Sequence, residues 1–163
     1  MANGVIGIDP GINNLGWAIL EKSRTNSIVY IASGRIKTTS SNHITVRLAS
    51  LSEELSSIVE KYEPSSASIE ETFVNINAKS SMILSFARGA ILAILGKYHL
   101  HTSEFAPNSI KKTIVGYGKA DKEQVMKMLA LVIPDVKFSS TDEADAIAIA
   151  YTAIVSNIFQ TKY

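Results

Sequence analysis

The first forty positions contain three runs of apolar residues separated by turn-forming residues, a pattern typical of β-strands. The runs lie at 4–9, 15–22 and 27–38, and the segments PGINN and SRTN stand between them. Short turns between successive strands favour antiparallel pairing. We therefore expect the chain to begin as a three-stranded antiparallel sheet.

Helices and strands alternate in the rest of the chain. Helices are assigned where apolar residues recur every three or four positions, and strands where short apolar runs stand between turn signals. Strands joined through helices pair in parallel, so the fold class expected is α/β, a five-stranded mixed sheet flanked by helices. The order is βββαβαβα, with three successive helices in the last α region. The predicted segments are a helix at 45–62, a strand at 66–73, a helix at 79–98, a strand at 101–106, and helices at 108–115, 122–133 and 140–158.

Composition indicates one globular domain over residues 1–163, with 46% hydrophobic and 19% charged residues. The formal net charge of +1 does not point to a polyanionic partner, so a nucleic-acid surface requires local clustering of Lys and Arg. There is no cysteine, which excludes disulfides and thiolate metal sites. The N-terminus does not have the pattern of a signal peptide, and Arg88 interrupts the most apolar segment. We expect a cytoplasmic protein without a membrane partner.

Four acidic residues stand out by their position. Asp9 ends the first strand, Glu70 lies near the end of the fourth, and Asp142 and Asp145 begin the last helix. Strand ends and helix N-termini are where polar sites collect in α/β sheets. Carboxylates brought together there repel one another, and Mg²⁺, which takes oxygen ligands, relieves this repulsion. The set therefore suggests a two-metal site for phosphodiester hydrolysis.

Each acid also has an ordinary structural explanation. Asp9 precedes Pro-Gly and suits a turn. Asp142 complements the dipole of a helix N-terminus, and Ser140 with Glu143 fits a capping box. Asp145 resists such an explanation, because it lies beyond the first helical turn and is followed by the apolar segment AIAIA. The argument for a site therefore depends on the four acids as a set.

Four sequence blocks resemble, in order, the RuvC family of Holliday-junction resolvases within the ribonuclease-H-like superfamily. They are IGIDPGINNLGWAIL, SIEETFVNINAKSSMILSFARGAIL, SIKKTIVGYGKADKEQV and DEADAIAIA. Each block alone is weakly specific, but together they span nearly the whole chain. The resemblance implies a ribonuclease-H-like fold and an endonuclease that cuts four-way DNA junctions by symmetric paired incisions, in recombination and DNA repair.

The resemblance also implies roles for the four acids. Asp9, Glu70, Asp142 and Asp145 match the family's metal-binding and catalytic acids, and Glu70 is chosen over Glu71 because it follows the apolar residue of the family's Ile-Glu pattern. Some members carry histidine at the last of these positions. Hydrolysis would use two Mg²⁺ ions per site, with Mn²⁺ as a substitute, and leave 5′-phosphate and 3′-hydroxyl ends. A homodimer, cooperation with RuvA and RuvB, and a bacterial cytoplasmic or organellar source are also implied.

A basic segment at 107–127 holds five lysines against two acids. Phosphate contacts of this kind give affinity without reading sequence, although a solvated helix face explains the same charges. Lys122 is a candidate for stabilising charge on the reacting phosphate. Phe73 is a candidate for stacking on an unstacked base, or an ordinary core residue. The DNA-binding candidates are Phe73, Lys79, Lys111, Lys112, Lys119 and Lys122.

The helix at 79–98 is apolar on more than one face, which exceeds what packing on one sheet requires. We expect its surplus face either to meet a second copy of the chain across a two-fold axis or to be buried within the domain. The dimer is favoured through the resemblance.

Three other functions compete with junction resolution. Actin-like and sugar-kinase ATPases share an Asp-x-Gly turn between strands, but they are normally much longer than 163 residues. A non-catalytic nucleic-acid-binding relative is expected to have lost one of the acids. Another ribonuclease-H-like nuclease, acting on structured RNA, has the same acids and stays open.

Overall fold

The computed structural model describes residues 4–72 and 78–156. Five strands form one mixed sheet in the order β3-β2-β1-β4-β5. β1 is antiparallel to β2 and parallel to β4, β2 is antiparallel to β3, and β4 is parallel to β5. The strands are β1 Gly4–Asp9, β2 Asn14–Lys22, β3 Ile28–Lys37, β4 Ser66–Glu70 and β5 His101–Phe105.

Helices cover both faces of this sheet. They are α1 Ile44–Tyr62, α2 Ala78–Lys97, α3 Pro107–Val115, α4 Lys122–Val132 and α5 Thr141–Val155. One core lies between the sheet and α3, α4 and α5, and the other lies between the sheet and α1 and α2. Alternation along each strand decides the face: Val5 of β1 belongs to the α5 side, whereas Ile6 and Ile8 belong to the α1–α2 side.

α5 packs directly on the sheet backbone because two glycines lie beneath it. A Cβ atom on Gly7 would lie 2.2 Å from the carbonyl oxygen of Ala146, and one on Gly16 would lie 2.0 Å from that of Asp142. No real side chain tolerates such contacts. On the helix side, the residues that face the sheet are small as well: Ala146 and Ala150 are fully buried, and their methyl groups allow α5 to lie close to the strands. The start of α5 is thereby fixed over the middle of the sheet.

The element order predicted from the sequence is confirmed, and most ends agree within one or two residues. The fourth strand ends at Glu70 rather than at 73, because its pairing with β5 stops at Phe105. Asp121 caps α4 as predicted, in a capping box with Gln124. The predicted extension of the last helix to 158 reaches past the described residues, in which α5 ends at Val155.

α2 is the one helix in the described ranges that is long and apolar enough to cross a membrane. Its central Arg88 donates a 2.9 Å hydrogen bond to the backbone oxygen of Glu70 and pairs with Glu104, so α2 is bonded to the sheet. Its opposite face is open: Met82 is 53% exposed and Phe86 44%. The apolar surplus seen in the sequence is therefore a surface feature of this chain.

Replacing Gly7 by alanine should destabilise the protein by about 3 kcal/mol or more, the upper range for overpacking, because the backbone of α5 must move. Urea unfolding followed by circular dichroism measures the loss. Gly4→Ala in the same strand is the matched control, since a Cβ there meets Glu21 at an ordinary 3.6 Å. Equal stability of the two variants would contradict direct packing of α5 on β1.

Candidate active site

Strand alternation directs two of the predicted acids to the α5 face of the sheet. Asp9 shares the face of Val5 and Gly7, both of which pack toward α5. Glu70 shares the face of Ser68, whose hydroxyl donates to the backbone oxygen of Ile149 in α5. Asp9 ends β1 and Glu70 ends the neighbouring parallel strand β4. The two carboxyl groups therefore come from adjacent strand ends on one face.

The other two acids come from the first turns of α5. Asp142 lies above Gly16, the residue that pairs with Asp9 in the sheet. Asp145 follows one turn later on the same side of the helix. Asp142 and Asp145 are half-buried, with side-chain exposures of 26% and 34%. The predicted set of four acids thus gathers where α5 crosses the ends of β1 and β4.

The charges of these acids act strongly on one another. Burial, followed by the negative charges of Asp145, Glu70 and Asp142, raises the pKa of Asp9 to about 8, against a smaller lowering by Lys122. Burial and Asp145 also raise the pKa of Glu70, while Lys122 and Lys111 lower it. A site that disfavours its own ionisation to this degree is suited to a bound cation.

Two basic side chains bond to the acids of α5 from opposite sides. Lys122, at the start of α4, donates a 2.7 Å hydrogen bond from Nζ to Oδ2 of Asp145. This bond raises the pKa of Lys122, against the opposing effect of its partial burial. Arg35 of β3 donates a 3.3 Å hydrogen bond from Nη1 to Oδ2 of Asp142. Each acid of the pair is therefore held by a cation from a different element.

A cleft of about 230 Å³ opens beside Glu70 and Asp145. Lys111 and Lys122 supply its positive charge, and apolar side chains form the rest of its wall. A cleft with acids at one end and lysines along its side suits a phosphodiester: the lysines attract the phosphate and the acids hold the cations. The lining residues are Glu70, Pro107, Ile110, Lys111, Lys122, Val125, Asp145 and Ala148.

The loop that follows Asp9 is fixed by a buried arginine. Arg47 of α1 is 8% exposed, and its guanidinium donates to the side chains of Asn13 and Thr38. Thr38 in turn donates through its hydroxyl to the backbone oxygen of Ile12, and through its backbone N–H to that of Asn13. The turn that the sequence predicted after Asp9 is therefore bonded to α1 and to the end of β3.

The start of α5 is bonded to β3 through Glu143. Ser140 caps the helix as predicted, accepting from the backbone N–H of Glu143. The capping box that offered an ordinary explanation for Glu143 is not formed, because its carboxylate accepts hydrogen bonds from Ser33, Ser139 and the hydroxyl of Ser140 instead. Burial opposes ionisation of this carboxyl, but these hydrogen bonds outweigh it and leave its pKa lowered.

The other predicted DNA-binding residues divide into three groups. Lys111 joins Lys122 in the cleft. Lys79, Lys112 and Lys119 are exposed and do not line it. Phe73 lies outside the described residues.

Sequence reasoning missed Arg35, Arg47 and Glu143 as supports of the site. Period-two alternation in β3, with Ile36 buried on the α1–α2 side, was a signal that Arg35 faces α5. The bond of Arg47 to Asn13 and that of Glu143 to Ser33 join segments distant in sequence, so local spacing carries no signal for them.

The donor set fits hard divalent cations. Carboxylate oxygens are the ligands that Mg²⁺ and Mn²⁺ prefer, and the raised pKa of Asp9 shows that burial and the neighbouring acids disfavour its ionised form in the absence of a cation. In the described part of the chain no three acidic or histidine side chains already converge to the spacing of a metal centre. Asp142 and Asp145 are bonded to Arg35 and Lys122 instead.

The sheet order, the helices on both faces and the acids at the ends of β1, β4 and α5 define a ribonuclease-H-like nuclease. Residues 5–153 match the sequence profile of crossover junction endodeoxyribonuclease RuvC. This chain belongs to that family.

Individual relatives agree with this assignment. The crossover junction endodeoxyribonuclease RuvC of Rickettsia typhi is 48% identical over 153 residues, covering 93% of this chain and 97% of the relative. The RuvC of T. thermophilus, solved in complex with a Holliday junction substrate, superposes with a TM-score of 0.89 at 23% identity, covering 97% of this chain and 96% of that chain. The yeast mitochondrial Holliday junction resolvase superposes with a TM-score of 0.68 at 16% identity, covering 96% and 81%.

Asp9→Asn should stabilise the protein in EDTA, and increasingly so as the pH rises. The folded-state pKa of about 8 lies above the ordinary 3.8, so the folded protein binds more protons and loses stability as the pH rises from about 4 to 8. Asparagine does not ionise, so the variant does not lose stability in this way. Its free energy of unfolding at pH 7 should exceed that of the wild type by on the order of 2–4 kcal/mol. The difference in unfolding free energy between the variant and the wild type should disappear near pH 4. Urea unfolding across this pH range measures it.

Glu53→Gln, on the exposed face of α1, removes one charge far from the site and is the control. It should follow the wild type at every pH. If the difference in stability between Asp9→Asn and the wild type stays constant from pH 4 to 8, ionisation of Asp9 does not destabilise the folded protein.

Proposed function

We infer that this protein resolves four-way DNA junctions by metal-dependent hydrolysis of one phosphodiester bond in each of two strands. The observation that carries the inference is the gathering of Asp9, Glu70, Asp142 and Asp145 beside a cleft with lysines along its wall. Membership of the RuvC family supplies the substrate class. Recombination and DNA repair are the processes in which such junctions arise.

We propose two Mg²⁺ ions per active site as the cofactor, with Mn²⁺ as a substitute. Asp9, Glu70, Asp142 and Asp145 would hold them. Bound there, the ions would activate the attacking water and neutralise charge on the leaving 3′-oxygen, which leaves a 5′-phosphate. Two divalent cations would balance the charge of four carboxylates and remove the part of the raised pKa of Asp9 that comes from its acidic neighbours, which adds to the contribution of burial, the largest single cause.

The side chains of the cleft prepare the phosphate for hydrolysis. Lys111 and Lys122 attract the scissile phosphate, and Lys122, beside Asp145, is placed to stabilise charge that develops on its oxygens. Ile110, Val125 and Ala148 make part of the wall apolar, which limits water around the reacting group and strengthens the charge interactions.

We propose that the working unit is a homodimer formed through α2. Met82, Phe86 and Leu92 are 53%, 44% and 36% exposed, and at 100° per residue they lie within an arc of about 120° on the helix. An exposed apolar face of this kind marks an interface. A two-fold dimer presents two active sites to a two-fold junction, and paired symmetric cuts follow from that symmetry.

The family assignment also supports two proposals about the setting in which the protein works. We propose that it acts with the branch-migration proteins RuvA and RuvB, and that it works in a bacterial cytoplasm. Both proposals can be tested by pull-down of the tagged protein and by its distribution in fractionated cells.

Asp145→Asn should abolish junction cleavage while junction binding stays the same or tightens. Removal of even an outer-shell partner of a metal typically costs 10–100-fold, so loss of a ligand should slow cleavage by more than about 100-fold. Binding should not weaken, because the substitution removes a negative charge that faces phosphates. The measurement is gel-resolved cleavage of a synthetic four-way junction and a linear duplex of the same sequence, with Mg²⁺ and with EDTA.

Glu123→Gln is the matched control, because Glu123 is an exposed acid of α4 that pairs with Lys127 and does not line the cleft. It should cut at the wild-type rate. Wild-type cleavage by Asp145→Asn would reject the metal-site assignment. Equal cutting of junction and duplex by the wild type would reject junction selectivity. A structured RNA is assayed as a third substrate, and cleavage of this RNA alone would move the substrate class to RNA.

Phe86→Glu should convert the dimer to a monomer at micromolar concentration, because it places a charge in the proposed apolar interface. Sedimentation velocity measures the change. Leu131→Glu is the control: Leu131 is even more exposed, at 79%, but lies on α4 away from α2. A dimer that persists in Phe86→Glu, or that is lost in Leu131→Glu, would place the interface elsewhere.

A further inference from the structure

One cation beside the four acids belongs to neither the predicted basic segment nor the cleft. Arg35 of β3 pairs with Gly16 of β2, which pairs with Asp9 of β1, so the three residues form one row across the sheet. Glu70 ends the next strand beyond Asp9. Asp142 lies above Gly16, between Asp9 and Arg35. The acids are therefore bordered by Arg35 on one side.

The opposite border is formed by Lys111 and Lys122. These lysines line the cleft next to Glu70, on the β4 side of the row. Neighbouring strands lie about 4.8 Å apart, so the row from β3 to β4 spans roughly 14 Å. Successive nucleotides of one strand rise about 3.4 Å along a duplex. A DNA strand of about five nucleotides laid along this row would reach from one border to the other.

Arg35 has donors available for a second partner. A guanidinium carries five N–H donors, and the contact with Asp142 uses one of them. The Arg35 side chain is 29% exposed, so the group reaches solvent at the rim of the site. Its planar fork matches the oxygens of a phosphate.

Two further cations lie at the same edge. Lys37 follows Arg35 on the same face of β3, because Ile36 between them is buried on the other side. Lys37 is exposed and, in the described part of the chain, forms no ion pair. Lys137 is exposed next to β3, since its backbone oxygen accepts a 3.2 Å hydrogen bond from Ser33. Together, Arg35, Lys37 and Lys137 form what we call the β3 rim.

We propose that the β3 rim binds the DNA backbone on the side of the active site opposite Lys111 and Lys122. The strand that enters the site is thus held at phosphates on both sides of the four acids. Arg35 is the member of the rim nearest the acids, because it contacts Asp142 directly. The partner chemistry is a nucleic-acid phosphate backbone, read without base contacts.

The proposal rests on the inferred junction-resolving function, but the two can fail separately. Binding is measured in EDTA, where no cutting occurs, by fluorescence anisotropy of a labelled four-way junction and of a linear duplex between 50 and about 300 mM salt. The variants are Arg35→Gln, Lys37→Gln and Arg35→Lys. Arg24→Gln is the matched control, because Arg24 is an exposed arginine in the turn at the opposite end of β3.

Arg35→Gln and Lys37→Gln should each weaken binding about three- to ten-fold. Each should also reduce the slope of log affinity against log salt by about 0.7–0.9, the value for one phosphate contact. Arg35→Lys should restore most of the slope, because it keeps the charge. Arg24→Gln should match the wild type. Thermal unfolding of each variant establishes that the fold is kept.

An unchanged salt slope in both Arg35→Gln and Lys37→Gln overturns the proposal, even if cleavage is lost, since Arg35 would then act only on Asp142. A reduced slope in Arg24→Gln as large as that in Arg35→Gln also overturns it, because the effect would then be one of net charge. Wild-type protein that binds junction and duplex equally well, with the slope still reduced in the rim variants, would support the β3 rim and count against the junction-resolving function.

Discussion

The site depends on one steric condition: α5 lies on the backbone of β1 and β2 with no side chain between them. Gly7 and Gly16 leave this space, and Ala146 and Ala150 fill it from the helix. An acid on the first turns of α5 is thereby brought over the ends of two strands. Any larger residue at these positions lifts the helix and separates Asp142 and Asp145 from Asp9 and Glu70.

This steric arrangement creates an electrostatic cost that the protein balances only in part. Asp145 forms an ion pair with Lys122, and Asp142 forms one with Arg35. Asp9, in contrast, is buried among acids, and its pKa is raised to about 8. The chain thus keeps an acidic group where the fold alone disfavours its ionisation. A polar group maintained against its own stability is typical of a functional site, and metal ions held as proposed above would offset this cost.

The fold and the four acids were accessible from sequence for a simple reason. Period-two and period-3.6 patterns report which face of an element is buried, and Asp9, Glu70, Asp142 and Asp145 all stand at element ends that such patterns locate. The supports of the site were not accessible, because the decisive bonds of Arg35, Arg47 and Glu143 are to Asp142, Asn13 and Ser33, which are far away in the chain. The capping box that offered an ordinary explanation for Glu143 does not form, since Ser33 and Ser139 donate to the same carboxylate.

Arg88 links the position of α2 to the position of the acid at the end of β4. One guanidinium joins α2 to the backbone of Glu70 and to Glu104 of β5. The helix with the exposed apolar face is therefore bonded to the strand end that carries one of the four acids. A substitution that tilts α2 also shifts Glu70, so the position of this apolar face and the position of the acid are mechanically linked.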